Sequence, residues 1–567
     1  MVYILGVTGF SNGGHDASAC LIQDGEIIII CEEERFSRKK HANDTYPSIA
    51  AWNCLNQAKI TLDEVDYVAF GWDIPQRYKQ RDFKLFLKKF TNQLFPESLF
   101  PRKKEPRCEF IPHHLSHAAS SFWTSGFEDA TVLVMDGQGE CHSTSIFYAN
   151  RENGIKALKQ FGVMHSLGYL YKATSGFLGL GKENPGKTMG LASYGKPQYY
   201  FDCLKLNLDG YEFVGFPNFL NTDVDADKLG EIVNIWYDYF QTKFLLQPFK
   251  TSQSWDILKN QVNYAFSSPV IENADLAASV QALIEEIGIH LVKLAVKLTN
   301  CSNVVLAGGV ALNCSMNGKI AKLPDVQNFF VFPNAHDGGT SVGAALQLSY
   351  TLGIPPIKKS LSHAFWGIEF KDDEILNLLQ KLGISFVTLE EDKILNVVAD
   401  YLNNDKIIGW FQGRNEIGPR ALGGRSILAS PRSKTLRDKV NNTKGRELWR
   451  PLAPSILQSQ AGNYFYDADK GSLFMLRALK SKENRIREIE GVVHIDGTSR
   501  VQLVPDNSFY GQLIKCFYDQ SGVPVLLNTS FNLAGEPIVG SPLDAIKSFF
   551  SSSLDVLVIN NFLIHKK

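Results

Sequence analysis

Residues 111–120 read "IPHHLSHAAS", so three of the chain's twelve histidines, His113, His114 and His117, fall within five positions. The i, i+4 spacing puts His113 and His117 on one face of a helix, where two imidazoles can share one metal ion. Pro112 suits the first turn of that helix. Two histidines leave a first-row metal short of ligands. Asp136 and Asp337 each follow an apolar run and precede a glycine, in "VMDGQGE" and "NAHDGG". Carboxylates at such strand ends complete a mixed nitrogen and oxygen set suited to Fe(II), Mn(II) or Zn(II). His114 is the alternative to His113 as a ligand.

Other residues suit acid–base chemistry and anion binding. His15 lies in the glycine-flanked turn "SNGGHDAS". An imidazole exposed there could serve as a general base for an attacking hydroxyl, or bind the acceptor. The C-terminal half concentrates cations. The stretch 412–432 carries Arg414, Arg420, Arg425 and Arg432, and 441–454 carries Lys444, Arg446 and Arg450. Their spacing is irregular and broken by glycine and proline, unlike a solvated helix face. It suits a pocket for highly anionic reactants. Lys40, in "SRKKH", is one more cation, close in sequence to Arg35 and Arg38. No phosphate-binding G-x-x-x-x-G-K-[ST] signature is present, because "GKTMG" lacks the upstream glycine spacing.

The elements that must position these groups read as α/β. The runs "YILGVTGF" and "ASACLIQDGEIIIIC" are strands, with "QDGE" as a hairpin turn. "TVLVMDGQGECHSTSIFY" repeats the theme of strand, glycine-rich turn and strand, which suggests a duplicated core. Helical periodicity marks 82–95 and 274–298, the latter leading into the strand "NVVLA". Paired prolines in "GIPPIKKS" (353–360) predict a linker. Beyond it β/α alternation resumes, ending in a helix with Ser541 as N-cap and Pro542 behind it. The aromatic runs 122–127 and 72–83 read as packing.

The chain has 567 residues, 44% hydrophobic and 21% charged, with net charge −1. That balance supports an ample core and argues against nucleic-acid binding. No run reaches the ~20 apolar residues of a membrane span. The N-terminal "MVYILGVTGFSNGG" shows no signal-peptide pattern, and the nine cysteines include no C-x-x-C pair. A cytoplasmic location with reduced thiols is expected.

Several motifs together resemble the Nod-factor and antibiotic O-carbamoyltransferase family. They are "GGHDASACLI", "EEERFSRKKH", "HHLSHAAS", "VMDGQGE", "GKTMGLASYG", "LAGGVALN" and "NAHDGG", with the C-terminal half, in family order from residue 4 to about 563. The resemblance implies an actin/sugar-kinase-like first domain (1–355), similar to the tRNA threonylcarbamoyl transferases, and a YrdC-like second domain (361–567). It implies His113, His117, Asp136 and Asp337 as ligands of a metal, iron by family. Lys444 and Arg446, then Ser530 and Asn532, match the YrdC-like pattern K-x-R followed by S-x-N. With Lys40, Arg414, Arg420, Arg425, Arg450 and Arg500 they are expected to bind carbamoyl phosphate and ATP with Mg²⁺ and to stabilise charge during adenylate formation, with Lys444 and Arg446 as catalytic residues. Gly308, Gly309 and Asn313 match an adenosine site, and a homodimer is plausible by resemblance.

The expected reaction is carbamoyl-adenylate formation, then transfer to the hydroxyl of a small-molecule acceptor. A sugar-type kinase would share the first domain but leaves the second unexplained. A hydrogenase-maturation carbamoyltransferase would carry an acylphosphatase-like N-terminus and Cys-pair zinc fingers, both absent from this sequence. A catalytically idle nucleotide-binding protein is the remaining alternative.

Overall fold

Asp24 and Gly25 both have positive φ, 48° and 79°, the conformation of a two-residue turn matched to strand twist. They join β2 (Ser18–Gln23) to β3 (Glu26–Glu32), the hairpin expected from "QDGE". β1 (Tyr3–Thr8) pairs antiparallel with β2 and parallel with β4 (Tyr67–Phe70), which pairs parallel with β5 (Cys108–Phe110). The sheet order is β3-β2-β1-β4-β5. This architecture comes from a computed structural model, which describes residues 1–11, 13–75, 83–216, 226–249 and 274–566. Within the aromatic run 72–83, residues 76–82 lie outside the described ones, whereas Phe122 and Trp123 of the other run are buried, as expected.

The pattern then repeats. β6 (Asp129–Met135), β7 (His142–Asn150) and β8 (Gly154–Gly162) form an antiparallel meander. A small hairpin follows, β9 (Leu204–Asn207) and β10 (Gly210–Phe213). β11 (Asn303–Ala307) lies parallel to β6, and β12 (Asn328–Val331) parallel to β11. The order β8-β7-β6-β11-β12 is that of the first sheet, with the same relative strand directions. This is the duplicated core expected from the two strand–turn–strand runs.

The duplication pairs the site-bearing segments. β5 leads into the His113–Ser125 helix, and β12 leads through a 3₁₀ turn at Asp337–Gly339 into the Thr340–Thr351 helix. Each is the helix after the fifth strand of its repeat, and the two pack on each other. A Cβ at Gly343 would lie 1.7 Å from the Ser116 carbonyl, and one at Gly6 of β1 would lie 1.9 Å from the Ser341 carbonyl. The small residues of both helices thus set an approach that larger ones would prevent.

Past Thr351, residues 353–360 carry no helix or strand, and the division between 355 and 361 stands as our proposal. Eight strands follow in one mixed sheet. In chain order they are β13 (Val387–Thr388), β14 (Ile408–Phe411), β15 (Arg425–Ala429), β16 (Ala453–Leu457), β19 (Gln502–Val504), β20 (Val525–Ser530), β21 (Val556–Ile559) and β22 (Phe562–His565). β17 (Ala478–Lys480) and β18 (Thr498–Arg500) form a separate pair. Ser541 caps the Pro542–Phe550 helix by accepting from the Asp544 amide at 3.2 Å, as the sequence predicts. One apolar core spans both halves, since Ile417, Leu422, Trp449 and Phe474 pack with the N-terminal core.

Gly343→Ala is expected to destabilise the chain by about 1–3 kcal/mol, because the helix interface cannot admit a methyl group without backbone movement. Chemical denaturation would read the loss. An Ala variant as stable as the parent would mean that the two helices separate freely.

Candidate functional site

Helix start and turn chemistry place four ligand-type side chains together. His113 and His117 project from the first turns of their helix, Asp136 follows β6, and Asp337 opens the turn before the second helix. Their ligand atoms all lie within 4.8 Å of one another. His113 Nε2 is 3.1 Å from His117 Nε2, 3.3 Å from Asp136 Oδ2 and 3.5 Å from Asp337 Oδ1. His117 Nε2 is 3.6 Å from both carboxylates. Ligands at about 2.0–2.2 Å from one ion stand about 3–3.5 Å apart, so the four fit a divalent first-row cation.

The surroundings favour that use. All four residues are buried. His113 Nδ1–H donates to the Gly71 carbonyl at 3.0 Å, which turns its Nε2 lone pair toward the cluster. Its ring stacks on Trp72 at 3.8 Å. Burial disfavours charge on His113, but Asp337 and then Asp136 outweigh it and raise its pKa to about 10. Burial and Asp337 oppose ionisation of Asp136, yet its bonds to His113 and His117 hold its carboxyl far below the usual range. His114 stands apart. Its Nδ1 meets Ser145 Oγ at 2.7 Å, and burial pushes its pKa well down. His113 rather than His114 therefore belongs to the cluster.

The glycine pair expected under an adenosine has a different neighbour. Gly308 has φ +86°, and a Cβ there would meet the Met135 carbonyl at 2.2 Å. The Gly309 amide donates to Asp136 Oδ1 at 3.0 Å. Asn313 caps the Cys314–Ile320 helix and exchanges hydrogen bonds with Gln281, which donates to Glu285 at 2.8 Å.

His15 reaches the same cluster from the β1–β2 loop. Its Nδ1 is 3.0 Å from Asp16 Oδ2 and 3.8 Å from Asp337 Oδ2. Asp16 also meets His41 Nδ1 at 2.9 Å and His336 Nδ1 at 3.4 Å. Its φ of +52° suits a short polar side chain. Burial opposes charge on His15, but Asp337 and Asp16 raise its pKa to about 10.

A second group lies in the C-terminal half. Lys444 Nζ donates to the Ser530 carbonyl, to Asn532 O at 2.9 Å and to Asn532 Oδ1 at 3.0 Å. Ser530 Oγ donates to Asn532 Oδ1 at 2.6 Å. Burial, then Arg446, Arg450 and Lys40, hold the Lys444 ammonium well below the usual lysine range. Arg446 Nε donates to Asn441 Oδ1 at 2.6 Å. Burial and then Arg500 push Arg420 down to about 9, still charged at neutral pH. The Nε atoms of Arg420 and Arg500 are buried without a hydrogen-bond partner among the described residues. Such orphaned donors suit an anionic ligand.

Arg414 and Arg425 are placed otherwise. Arg414 donates to the carbonyls of Gly367, Trp366 and Ile28, and Arg425 to those of Gln412, Gly413 and Gly424. Arg425 also lies over the Phe411 ring at 3.5 Å. Half-buried Arg414 and fully buried Arg425 spend most of their donors on backbone oxygens, with only the Arg425 Nε left over, so these two hold the loop rather than line the cation group. Sequence reading missed His336, Lys187 and Glu447. Lys187 sits in the quoted "GKTMG" motif, and its partner lies 260 residues away.

Comparison with known proteins decides the family. Residues 80–346 match the family model described as carbamoyltransferase N-terminus, and 399–566 match carbamoyltransferase C-terminus. The chain belongs to the carbamoyltransferase family. Nodulation protein NolNO of Sinorhizobium fredii is 34% identical over 573 residues, covering 98% of this chain and 79% of that protein. The 3'-hydroxymethylcephem-O-carbamoyltransferase of Amycolatopsis lactamdurans is 34% identical over 266 residues, 46% of this chain and 48% of that protein. The solved T. kodakarensis HypF is 13% identical with a TM-score of 0.30, covering 62% of this chain and 48% of that one. A likeness of that depth adds nothing to the topology described above. This carbamoyltransferase is a transferase enzyme, and no helix among its described residues is long and apolar enough to cross a membrane.

Asp337→Asn is expected to lower the divalent metal retained by the purified carbamoyltransferase at least tenfold, read by elemental analysis after dialysis. Retention equal to the parent's would remove Asp337 from the ligand set.

Proposed function

We propose that this enzyme is an ATP-dependent O-carbamoyltransferase with two reaction sites. The carrying observation is the cation group of Lys444, Arg446, Arg450, Arg420 and Arg500 beside Ser530 and Asn532, with buried guanidinium donors left unpaired. In the first step water converts carbamoyl phosphate to carbamate and phosphate. The carbamate oxygen then attacks the α-phosphorus of ATP, forming carbamoyl-adenylate and releasing pyrophosphate. Fixed cations stabilise the charge that gathers on the phosphoryl oxygens, and they cost no reorganisation at the moment of reaction. Lys40 joins them from the N-terminal half, and Mg²⁺ accompanies ATP.

In the second step an acceptor hydroxyl attacks the carbamoyl carbon near the His/Asp cluster, giving the carbamate ester and AMP. His113, His117, Asp136 and Asp337 would hold a divalent metal, iron by family, which would supply electrophilic polarisation. A cation among Asp136 and Asp337 would also offset the carboxylate field that now keeps His15 protonated. His15 is the base for the hydroxyl proton, held through Nδ1 by Asp16. Gly308, Gly309 and Asn313 would flank the adenosine, with Gly309 beside Asp136. Burial limits hydrolysis of the activated carbamoyl group. The acceptor is a hydroxylated small molecule; the cephem enzyme among the relatives is named for such an acceptor. A cytoplasmic site and a homodimer belong to the same proposal.

Phosphorus NMR of the protein with ATP, carbamoyl phosphate, Mg²⁺ and Fe(II) tests the first step. Pyrophosphate should form only when carbamoyl phosphate is present, and Lys444→Ala should cut its rate at least 100-fold. ADP as the product would install the kinase reading instead, and nucleotide binding without turnover, even with hydroxylated acceptors, the idle-protein reading.

The depressed Lys444 pKa adds a pH signature. An anion in the cradle would raise that pKa again, so the lysine's share of the binding reaction is proton uptake, growing as pH rises through its free-state value. Calorimetry of pyrophosphate binding at pH 8 in buffers of differing ionisation enthalpy should read greater net proton uptake for the parent than for Lys444→Ala, since the ligand's own ionisation is common to both. Equal proton exchange in the two proteins would contradict the assignment.

A further inference from the structure

The Pro185–Ala192 helix belongs to the N-terminal half but docks on the C-terminal half. Gly190 lies against Pro451 and Trp449. Tyr194 Oη donates to the Trp449 carbonyl at 3.1 Å, and Ser193 Oγ donates to Asp496 at 3.0 Å. Within this seam Lys187 Nζ stands 2.8 Å from Glu447 Oε1, while Glu447 Oε2 faces Arg450 Nη1 at 3.6 Å. Lys40 feels both Arg450 and Lys187. One carboxylate therefore sits between cations contributed by the two halves. Lys40, Arg420, Lys444, Arg446 and Arg500 have no ion pair among the described residues, whereas Lys187 and Arg450 both pair with Glu447.

We propose that Glu447 is an internal substitute for a ligand oxygen. It holds Lys187 and Arg450 together in the ligand-free cradle, and a di- or triphosphate displaces it. Lys187 then becomes a contact from the N-terminal half to an anion bound mainly by the C-terminal half. The inference rests on the reading of the cradle as a phosphate site. Three features favour displacement over a permanent bridge. All three side chains remain partly open, with exposures of 21%, 35% and 29% for Lys187, Glu447 and Arg450. The Arg450 contact is long for an ion pair and leaves room for a competing oxygen. A polyphosphate also brings several charges where the carboxylate brings one, and the neighbouring cations without carboxylate partners reward that difference. Burial opposes ionisation of Glu447, but Lys187 outweighs it and keeps the carboxyl below its usual range, so it competes at neutral pH as an anion.

The test is calorimetric titration of the full chain with inorganic pyrophosphate, comparing Glu447→Gln, Lys187→Met, Lys187→Arg and Lys444→Ala. Glu447→Gln should tighten binding at least fivefold, because the competing charge is gone. Lys187→Met should weaken it at least fivefold, also when combined with Glu447→Gln, and Lys187→Arg should stay near the parent. Weaker or unchanged binding by Glu447→Gln, or unchanged binding by Lys187→Met, overturns the inference. If Lys187→Met fails to fold, the direction of the Glu447→Gln change decides alone. The two levels separate through Lys444→Ala. If only that variant weakens binding, the substitute role fails and the cradle stands. If it changes nothing, or the parent does not bind pyrophosphate, both fail.

Discussion

Everything at the His/Asp cluster depends on how closely two helices approach. The His113–Ser125 and Thr340–Thr351 helices meet where Gly343 faces the Ser116 carbonyl, and β1 meets the second helix where Gly6 faces Ser341. Both contacts exclude a Cβ. The approach sets the distance between the imidazoles on one helix and the Asp337 carboxylate at the start of the other. Because each helix follows the fifth strand of its repeat, duplication brings the two N-terminal ends together. The β1–β2 and β6–β7 loops, in equivalent places, then deliver His15 and Asp136 to the same point.

The two sites differ in how their charge is compensated. In the His/Asp cluster two carboxylates face two imidazoles at 3.3–3.6 Å. The cradle in the C-terminal half is unbalanced, with several cations and a single carboxylate among their ion pairs. A folded chain tolerates such a surplus where solvent or a ligand can supply the opposite sign. In the function proposed above, the surplus of cations suits the cradle to anions, and the mixed nitrogen and oxygen donor set suits the cluster to a cation.

One segment ties the two together. Glu32 accepts from the Gly418 amide at 3.1 Å, and Arg35 donates to the Gly418 carbonyl at 2.8 Å, which fixes the arginine-rich loop 414–425. Arg38 donates to Ile538 and Pro537. A few residues on, His41 meets Asp16, which meets His15. The run "EEERFSRKKH" thus reaches the loop of one site and the histidine of the other within ten residues.

Sequence by itself settled what local chemistry controls. The i, i+4 histidines, the two Asp–Gly turns, the Asp24–Gly25 hairpin, the Ser541 cap and the repeated strand–turn–strand pattern are each written within a few residues, where backbone geometry follows directly from residue type. The ordered motifs also carried the family. Sequence could not separate His113 from His114, because the choice depends on which ring faces Asp136 across the fold. It could not tell Arg420 from Arg414 or Arg425, since a guanidinium that spends its donors on distant carbonyls has the same neighbours in sequence as one left unpaired. It gave no sign of Lys187 beside Glu447 or of Asp16 among three histidines. Those pairings join residues up to 320 positions apart (Asp16 to His336), and only the packing of both halves on one core decides which charges meet.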